Sequence, residues 1–209
     1  MTNALGAQFR QVEDREHLGK AAIVVVAVRT YDTTVEDLWE AITTPERLAR
    51  WFLPIEGDLE LGGRYQLKGN AGGTITRCDP PEALDVTWEF GGGTSWVTLR
   101  LAAEGRRARL TLEHIAHRDG IGKEHLDKFG PGAVGVGWDL GLHGLGRHVA
   151  EPGATVDQAA VEAWSASSEG KAAIRASGEA WAAAYAASGA DAGEASAQAE
   201  RTIAFYTGA

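Results

Sequence analysis

Residues 31–67 read YDTTVEDLWEAITTPERLARWFLPIEGDLELGGRYQL, a strand end followed by two short helices and then hairpin strands. Thr33 begins T-x-x-E, a capping box with Glu36 in which each side chain satisfies an orphan amide of the other. Val35, Leu38, Trp39 and Ile42 then fall at i, i+3, i+4, i+7, the spacing of one helical face. Thr44 with Pro45 is a second start signal, a hydroxyl followed by proline at the first helical position, where its missing N–H costs nothing. Leu48, Trp51 and Phe52 form the apolar side of this second helix, and Pro54 helps to end it. Two helices set after an early strand and before a meander predict an α+β architecture. A curved antiparallel sheet closes over a long C-terminal helix, with an apolar cavity between them.

Upstream, residues 8–14 and 21–30 read as strands joined through a polar hairpin around Gly19. The second, AAIVVVAVRT, is β-branched and nearly continuous in apolarity, which suits a strand covered on both faces. Downstream, from Ile55 to Ile115, short alternating runs are separated by the turn signals Gly62-Gly63, Gly72-Gly73, Pro80-Pro81, Gly91–Gly93 and Gly105. Tyr65 and Leu67 share a face, as do Leu84, Val86, Trp88 and Phe90. So do Val97, Leu99 and Leu101, and so do Leu110, Leu112 and His114. One side of an antiparallel meander is therefore buried and the other wet. Trp96 has the opposite parity and is expected on the far face, under the C-terminal helices.

Residues 116–132 read as a long loop. From Val134 to Ala150 a helix returns, with Trp138, Leu142, Leu145 and Val149 in one stripe. Gly137, Gly141 and Gly144 lie close to that stripe, and each costs roughly 1 kcal/mol of helix stability relative to alanine. They mark either close backbone approach or space left for a ligand. Glu151-Pro152-Gly153 breaks the chain, and the composition shifts to alanine. A capping pattern at Thr155–Gln158 opens helices expected over 156–167, 169–188 and 192–206. Alanine-rich helices with sparse anchors such as Trp164, Trp181 and Tyr185 bury little by themselves. They must pack on the sheet domain or on a partner subunit, so a homodimer stays open. The division expected is 1–152 for the sheet domain and 153–209 for a helical extension.

The 209 residues carry a net charge of −9. Affinity for a phosphate backbone comes mostly from Lys and Arg, so nucleic acid is not an expected partner. Arg47/Arg50 and Arg106/Arg107/Arg109 read as solvated surface. The longest apolar run, Ala21–Val28, is too short for a bilayer, so no membrane insertion is expected. The N-terminal stretch has no apolar h-region. Cys78, the only cysteine, excludes an internal disulfide, reads as an inert strand residue and fits a reducing cytoplasm.

The search for catalytic patterns is mostly negative. There is no G-x-S-x-G and no phosphate loop. His114 and His117 would point to opposite faces of a strand, and His143 and His148 are five apart on a helix, so neither pair has zinc spacing. No metal and no cofactor is implied. His114, on the buried face by parity, is the one weak catalytic candidate, as a proton donor or acceptor. Asp139 and His143 rank behind it.

VEDLWEAIT (35–43), TPERLARWF (44–52), GDLELGGRY (57–65), GGTITRCDPPEALDVTWEF (72–90), LTLEH (110–114) and the GWD that leads the long helix stand in a specific order and spacing. Over residues 22–150 the chain resembles the activator-of-heat-shock-chaperone-ATPase-like group of the START-like (SRPBCC) superfamily, which has the helix-grip fold. The tail resembles the helical extension of some actinobacterial members. The resemblance implies binding or sequestration of a hydrophobic small molecule between sheet and long helix. Trp51, Phe52, Tyr65 and Leu67 are the expected contacts from the first half of the domain. Trp88, Phe90, Leu99, Leu112, His114, Trp138 and Leu142 are those from the second. Two alternatives stand beside it: a polyketide cyclase/aromatase-like enzyme using His114, and a chaperone-associated protein-interaction module.

Overall fold

The β-branched run at 21–30 sits near one end of an eight-stranded antiparallel sheet of order β1-β2-β8-β7-β6-β5-β4-β3. The structure is a computed structural model that describes residues 5–120, 122–153 and 158–209, with backbone only at 158 and 159. β1 (Phe9–His17) pairs with β2 (Lys20–Tyr31) through a two-residue turn, Leu18 and Gly19, both at positive φ. That left-handed pair matches the twist of a tight hairpin. β3 (Ile55–Gly57), β4 (Arg64–Leu67), β5 (Gly72–Asp79), β6 (Ala83–Phe90), β7 (Gly93–Glu104) and β8 (Arg107–His117) form the meander, and β8 closes onto β2. β2 is apolar on both sides because each side is covered. Ile23, Val25 and Ala27 belong to the main core, while Ala22, Val24 and Val26 pack with Ile115 and Trp96 on the far face.

α1 (Val35–Thr43) and α2 (Pro45–Leu48) bridge β2 to β3. The cap of α1 is Thr34, whose Oγ1 accepts from the Asp37 amide at 3.2 Å, one residue beyond the expected box. Thr33 instead bonds the Asp37 carboxylate at 2.6 Å. The stretch read as a loop at 116–132 contains the end of β8 and a short helix, α3 (Lys123–Phe129). Its seven residues, about two turns, carry too few apolar side chains to show a helical period. Gly72 and Gly73 are not a turn but the start of β5. A Cβ at Gly73 would lie 2.0 Å from the Thr87 carbonyl oxygen, so the glycine permits close strand pairing.

α4 (Gly132–Ala150) lies over the sheet and is followed by α5 (Gln158–Ala166), α6 (Ser168–Ala187) and α7 (Ala192–Thr207). The capping pattern at Thr155 lies outside the described residues. α6 is capped by Ser167 and α7 by Asp191, each accepting from an amide three residues on. α6 packs against α4 and β1, and α7 packs on α6. Trp181 on α6 is fully buried against α4, where a Cβ at Gly135 would lie 2.3 Å from its ring. The tail therefore covers the α4 side of the molecule, not Trp96. That indole packs between His17 and His117, with ring centroids at 4.4 and 4.7 Å.

Asp139 ties these parts together. It is fully buried and accepts from the Ala7 amide (2.7 Å), Arg10 Nε (2.9 Å), Ser177 Oγ (2.5 Å) and Trp181 Nε1 (3.0 Å). One carboxylate on α4 thus holds the segment before β1, β1 itself and the tail. Among the described residues no helix is long and apolar enough to cross a membrane.

Candidate functional site

A cavity of about 320 Å³ lies between the sheet, α1–α2 and α4. The sheet supplies alternate residues of one face, such as Tyr65 and Leu67 on β4, Trp88 on β6, Leu99 on β7 and Leu112 on β8. α4 supplies Trp138 and Leu142 from its stripe, and the segment after α2 supplies Trp51 and Phe52. Two further expected contacts fall outside this wall. Phe90 is 63% exposed, because β6 ends there beside the Gly91–Gly92 turn and parity no longer implies cover. His114 stands behind Trp138.

Residues beyond the expected contacts also line the cavity. Trp39, Ile42 and Leu48 come from α1 and α2, and Ile75, Leu84 and Val86 from the strands. Their helical spacing and alternation carried the signal, but both patterns mark ordinary core equally well. Cys78, read as inert, has its side chain in the wall. The glycines of α4 divide between the two roles expected of them. A Cβ at Gly144 would lie 2.8 Å from the Trp51 carbonyl oxygen and one at Gly137 2.9 Å from the Tyr206 hydroxyl, which are close approaches. Gly141 lines the cavity, facing the Phe52 ring.

The wall is aromatic and its polar atoms are mostly committed elsewhere. The Phe52 ring stacks on Trp51 at 5.3 Å and on Trp138 at 6.1 Å, and Trp138 meets Trp88 at 5.3 Å. Trp51 Nε1 donates to the Ala41 carbonyl at 2.8 Å, and Thr43 Oγ1 donates to the Trp39 carbonyl at 2.7 Å. The Tyr65 hydroxyl donates to the Thr87 carbonyl at 2.8 Å, and burial raises its pKa, so it stays protonated. No Asp, Glu, Lys or Arg is in the described lining.

His114 belongs to a closed chain of hydrogen bonds. Trp138 Nε1 donates to His114 Nδ1 at 3.0 Å, which leaves the ring proton on Nε2. Nε2 then donates to Ser95 Oγ at 2.8 Å, and Ser95 donates to the Trp88 carbonyl at 3.2 Å. Burial pushes the imidazole pKa down to about 4, so the ring is neutral near pH 7. Asp139 and His143 lie elsewhere on α4, the first in its buried cluster and the second stacked on Trp164 at 5.6 Å. The three candidate acid–base groups are not brought together.

The α1–α2 side of the cavity is fastened to α4. Arg47 on α2 donates from Nε to His148 Nε2 at 3.2 Å and from Nη1 to the Asp37 carboxylate at 2.8 Å. Burial, then Arg47 and Arg50, hold the His148 pKa low, so the neutral ring accepts this bond. Among the described residues no group of three or more His, Cys, Asp or Glu side chains is placed to hold a metal ion.

A model of the family described as Activator of Hsp90 ATPase homolog 1-like protein matches residues 32–150. No curated protein matches the chain. The crystal structure of CalU16 from Micromonospora echinospora is 34% identical, with a TM-score of 0.67, and the match covers 84% of this chain and 96% of that one. The solution structure of CalU16 is 32% identical, with a TM-score of 0.70 over 90% of this chain and 100% of that one. EF2215 from Enterococcus faecalis, a conserved protein of unknown function, is 18% identical with a TM-score of 0.54, covers 74% of this chain and 86% of its own, and speaks for the fold alone.

Proposed function

We propose, on the premise that this chain belongs to the Activator of Hsp90 ATPase homolog 1-like family, that it binds and sequesters an uncharged, apolar, ring-bearing small molecule. The arrangement is of the helix-grip type: the sheet wraps α4, and the ligand lies between them. The observation that carries this reading is the composition of the cavity wall. A volume of about 320 Å³ is at the lower end of small-molecule pockets, and the described lining has no ionised side chain. Burying a ligand carboxylate there without a partner would cost several kcal/mol. A ligand that hides roughly 300 Å² of apolar surface gains on the order of 7 kcal/mol before the cost of association. The lone thiol Cys78 fits a cytoplasmic setting for this activity.

The cyclase-like alternative draws little from His114. Both ring nitrogens are engaged within the protein, and accepting a proton would cost the Trp138 bond. An interaction module acting on a chaperone would not require a void of this size.

Titration with N-phenyl-1-naphthylamine, an uncharged two-ring probe, tests the reading alongside native mass spectrometry of protein from its own host. We expect saturable probe fluorescence, weak response to dodecanoic acid, and loss of binding when Leu99→Trp fills the cavity. Absence of saturation, together with the absence of any co-purifying organic molecule, would overturn it.

A further inference from the structure

A second pocket, of about 140 Å³, lies beside a different stripe of α4. His143, Gly146, Arg147 and Ala150 follow at i, i+3, i+4, i+7, and Arg29 from β2 and Glu151 complete the lining. Its chemistry is opposite to that of the apolar cavity. Arg29 is fixed in place: its Nη1 donates to the Gly6 carbonyl at 2.8 Å, and its guanidinium lies 5.4 Å from the Tyr31 ring centroid. A Cβ at residue 146 would lie 2.8 Å from Arg29 Nη2, so Gly146 is what lets the guanidinium reach the helix. His143 is held flat against Trp164, with 11° between the rings. Among the described residues neither Arg29 nor Arg147 has a carboxylate within ion-pair distance, in a chain whose net charge is −9.

We infer that this pocket binds a small oxyanion, a phosphate group free or carried on a small metabolite, between Arg29 and Arg147. Two whole positive charges face the site. Against them stand the Glu151 carboxylate and the roughly half negative charge at the C-terminal end of α4, so the balance remains positive. Guanidinium groups suit this ligand because their planar N–H forks match two oxygens at once. His143 adds a ring nitrogen at the same wall. Arg29 and Arg147, together with Arg50 near His148, sit near the end of the long helix, where the chain passes to its tail.

The test is isothermal titration of the full chain at low ionic strength, with inorganic phosphate in one arm and glycerol phosphate in the other. We expect one saturable site, weakened at least tenfold by Arg147→Gln and unchanged by Arg106→Gln on the distant β7–β8 turn. Arg147 is exposed, so its loss does not threaten folding. Phosphate should also shift tryptophan emission, and that response should vanish in Trp164→Phe. Saturation by both ligands, or by the ester alone, supports the site and tells which form it takes. No saturation by either, or equal binding by Arg147→Gln and the parent, overturns it.

Discussion

The two ends of the sheet use the same kinds of residue and come to opposite results. At the end built from β1, β2 and β8, the side chains of Leu38, Val136, Leu145, Ile174 and Trp181 are all fully buried. At the end built from β3 to β6, Trp51, Phe52, Leu84, Val86 and Trp88 stay half-buried around a void. The difference is the number of layers above the sheet. α4 covers the first end, and α6 covers α4 and packs on β1. The second end is closed by Trp138 and Leu142 of α4 and by the short helices α1 and α2. The polar anchors differ in the same way. Asp139, fully buried, joins four donors from three segments in the dense end. In the open end Trp51 bonds Ala41, and the partly buried Arg47 ties α2 to Asp37 and His148 at the cavity's side. Burial by pattern is common to both; cover is what separates core from cavity.

The largest break in this contrast should come from Asp139→Ala. It strands the Arg10 guanidinium, the Ala7 amide, the Ser177 hydroxyl and the Trp181 indole N–H inside the dense end. Removing one member of such a buried set costs about 3–5 kcal/mol. Urea denaturation should show that loss, and a cost below about 1 kcal/mol would mean the cluster is not a joint. Leu145→Ala against Val86→Ala asks the same question of apolar contacts. Leu145 is 0% exposed, so its truncation leaves a new cavity and should cost about 2–5 kcal/mol. Val86 borders a void that already exists, and its truncation should cost about 1 kcal/mol or less while enlarging the site. Equal losses in the two variants would erase the proposed difference between the ends.

Acid should act at the boundary between the two. His114 has its pKa lowered to about 4 by burial, against an ordinary value of 6.5. The unfolded chain therefore binds the proton more readily than the native one between these values. The contribution is fully present above about pH 6.5 and is lost as pH falls toward 4, to a limit of about 3 kcal/mol. His17, His125, His143 and His148 are also lowered, each with burial as the leading cause, and act in the same direction. A His114→Gln variant should flatten the acid limb of a stability-against-pH curve. A curve unchanged from the parent would remove His114 as its main source.

Local signals made much of this fold legible. The β-branched run of β2, the alternation of β4 to β8 and the proline start of α2 are all satisfied within a few residues, and each is where the pattern put it. What stayed hidden depends on distance along the chain. The bond from the Ala7 amide to Asp139 spans 132 residues and leaves no spacing to read, so Asp139 looked like a weak acid–base candidate. The gap between Arg29 and Arg147 is hidden for the same reason. Parity assigns Trp96 to the correct face but does not say what covers that face. Phe90 failed differently, because alternation loses meaning at a strand end beside two glycines. Most of the cavity wall was within reach, but the pattern that marks it is the pattern that marks core.

The smallest effect discriminates most finely, because two glycines on one helix should respond with opposite signs. Gly135 belongs to the dense end, and a Cβ there would lie 2.3 Å from the Trp181 ring, a fully buried indole with no room to retreat. Gly141 belongs to the open end, and a Cβ there would meet the Phe52 ring at 3.6 Å, an ordinary contact. Neither glycine has a positive φ, so alanine is conformationally acceptable at both. Helix propensity favours alanine over glycine by roughly 1 kcal/mol, and at Gly141 nothing opposes that gain. Gly141→Ala should therefore raise stability by up to about 1 kcal/mol while shrinking the cavity and weakening probe binding. Gly135→Ala should lower stability and leave the cavity untouched. Thermal midpoints and probe titrations on the two variants give four readings. If Gly141→Ala loses stability as Gly135→Ala does, α4 is packed tightly along its whole length and the open end is not open. If it gains stability and binding is unaffected, the probe occupies some other surface.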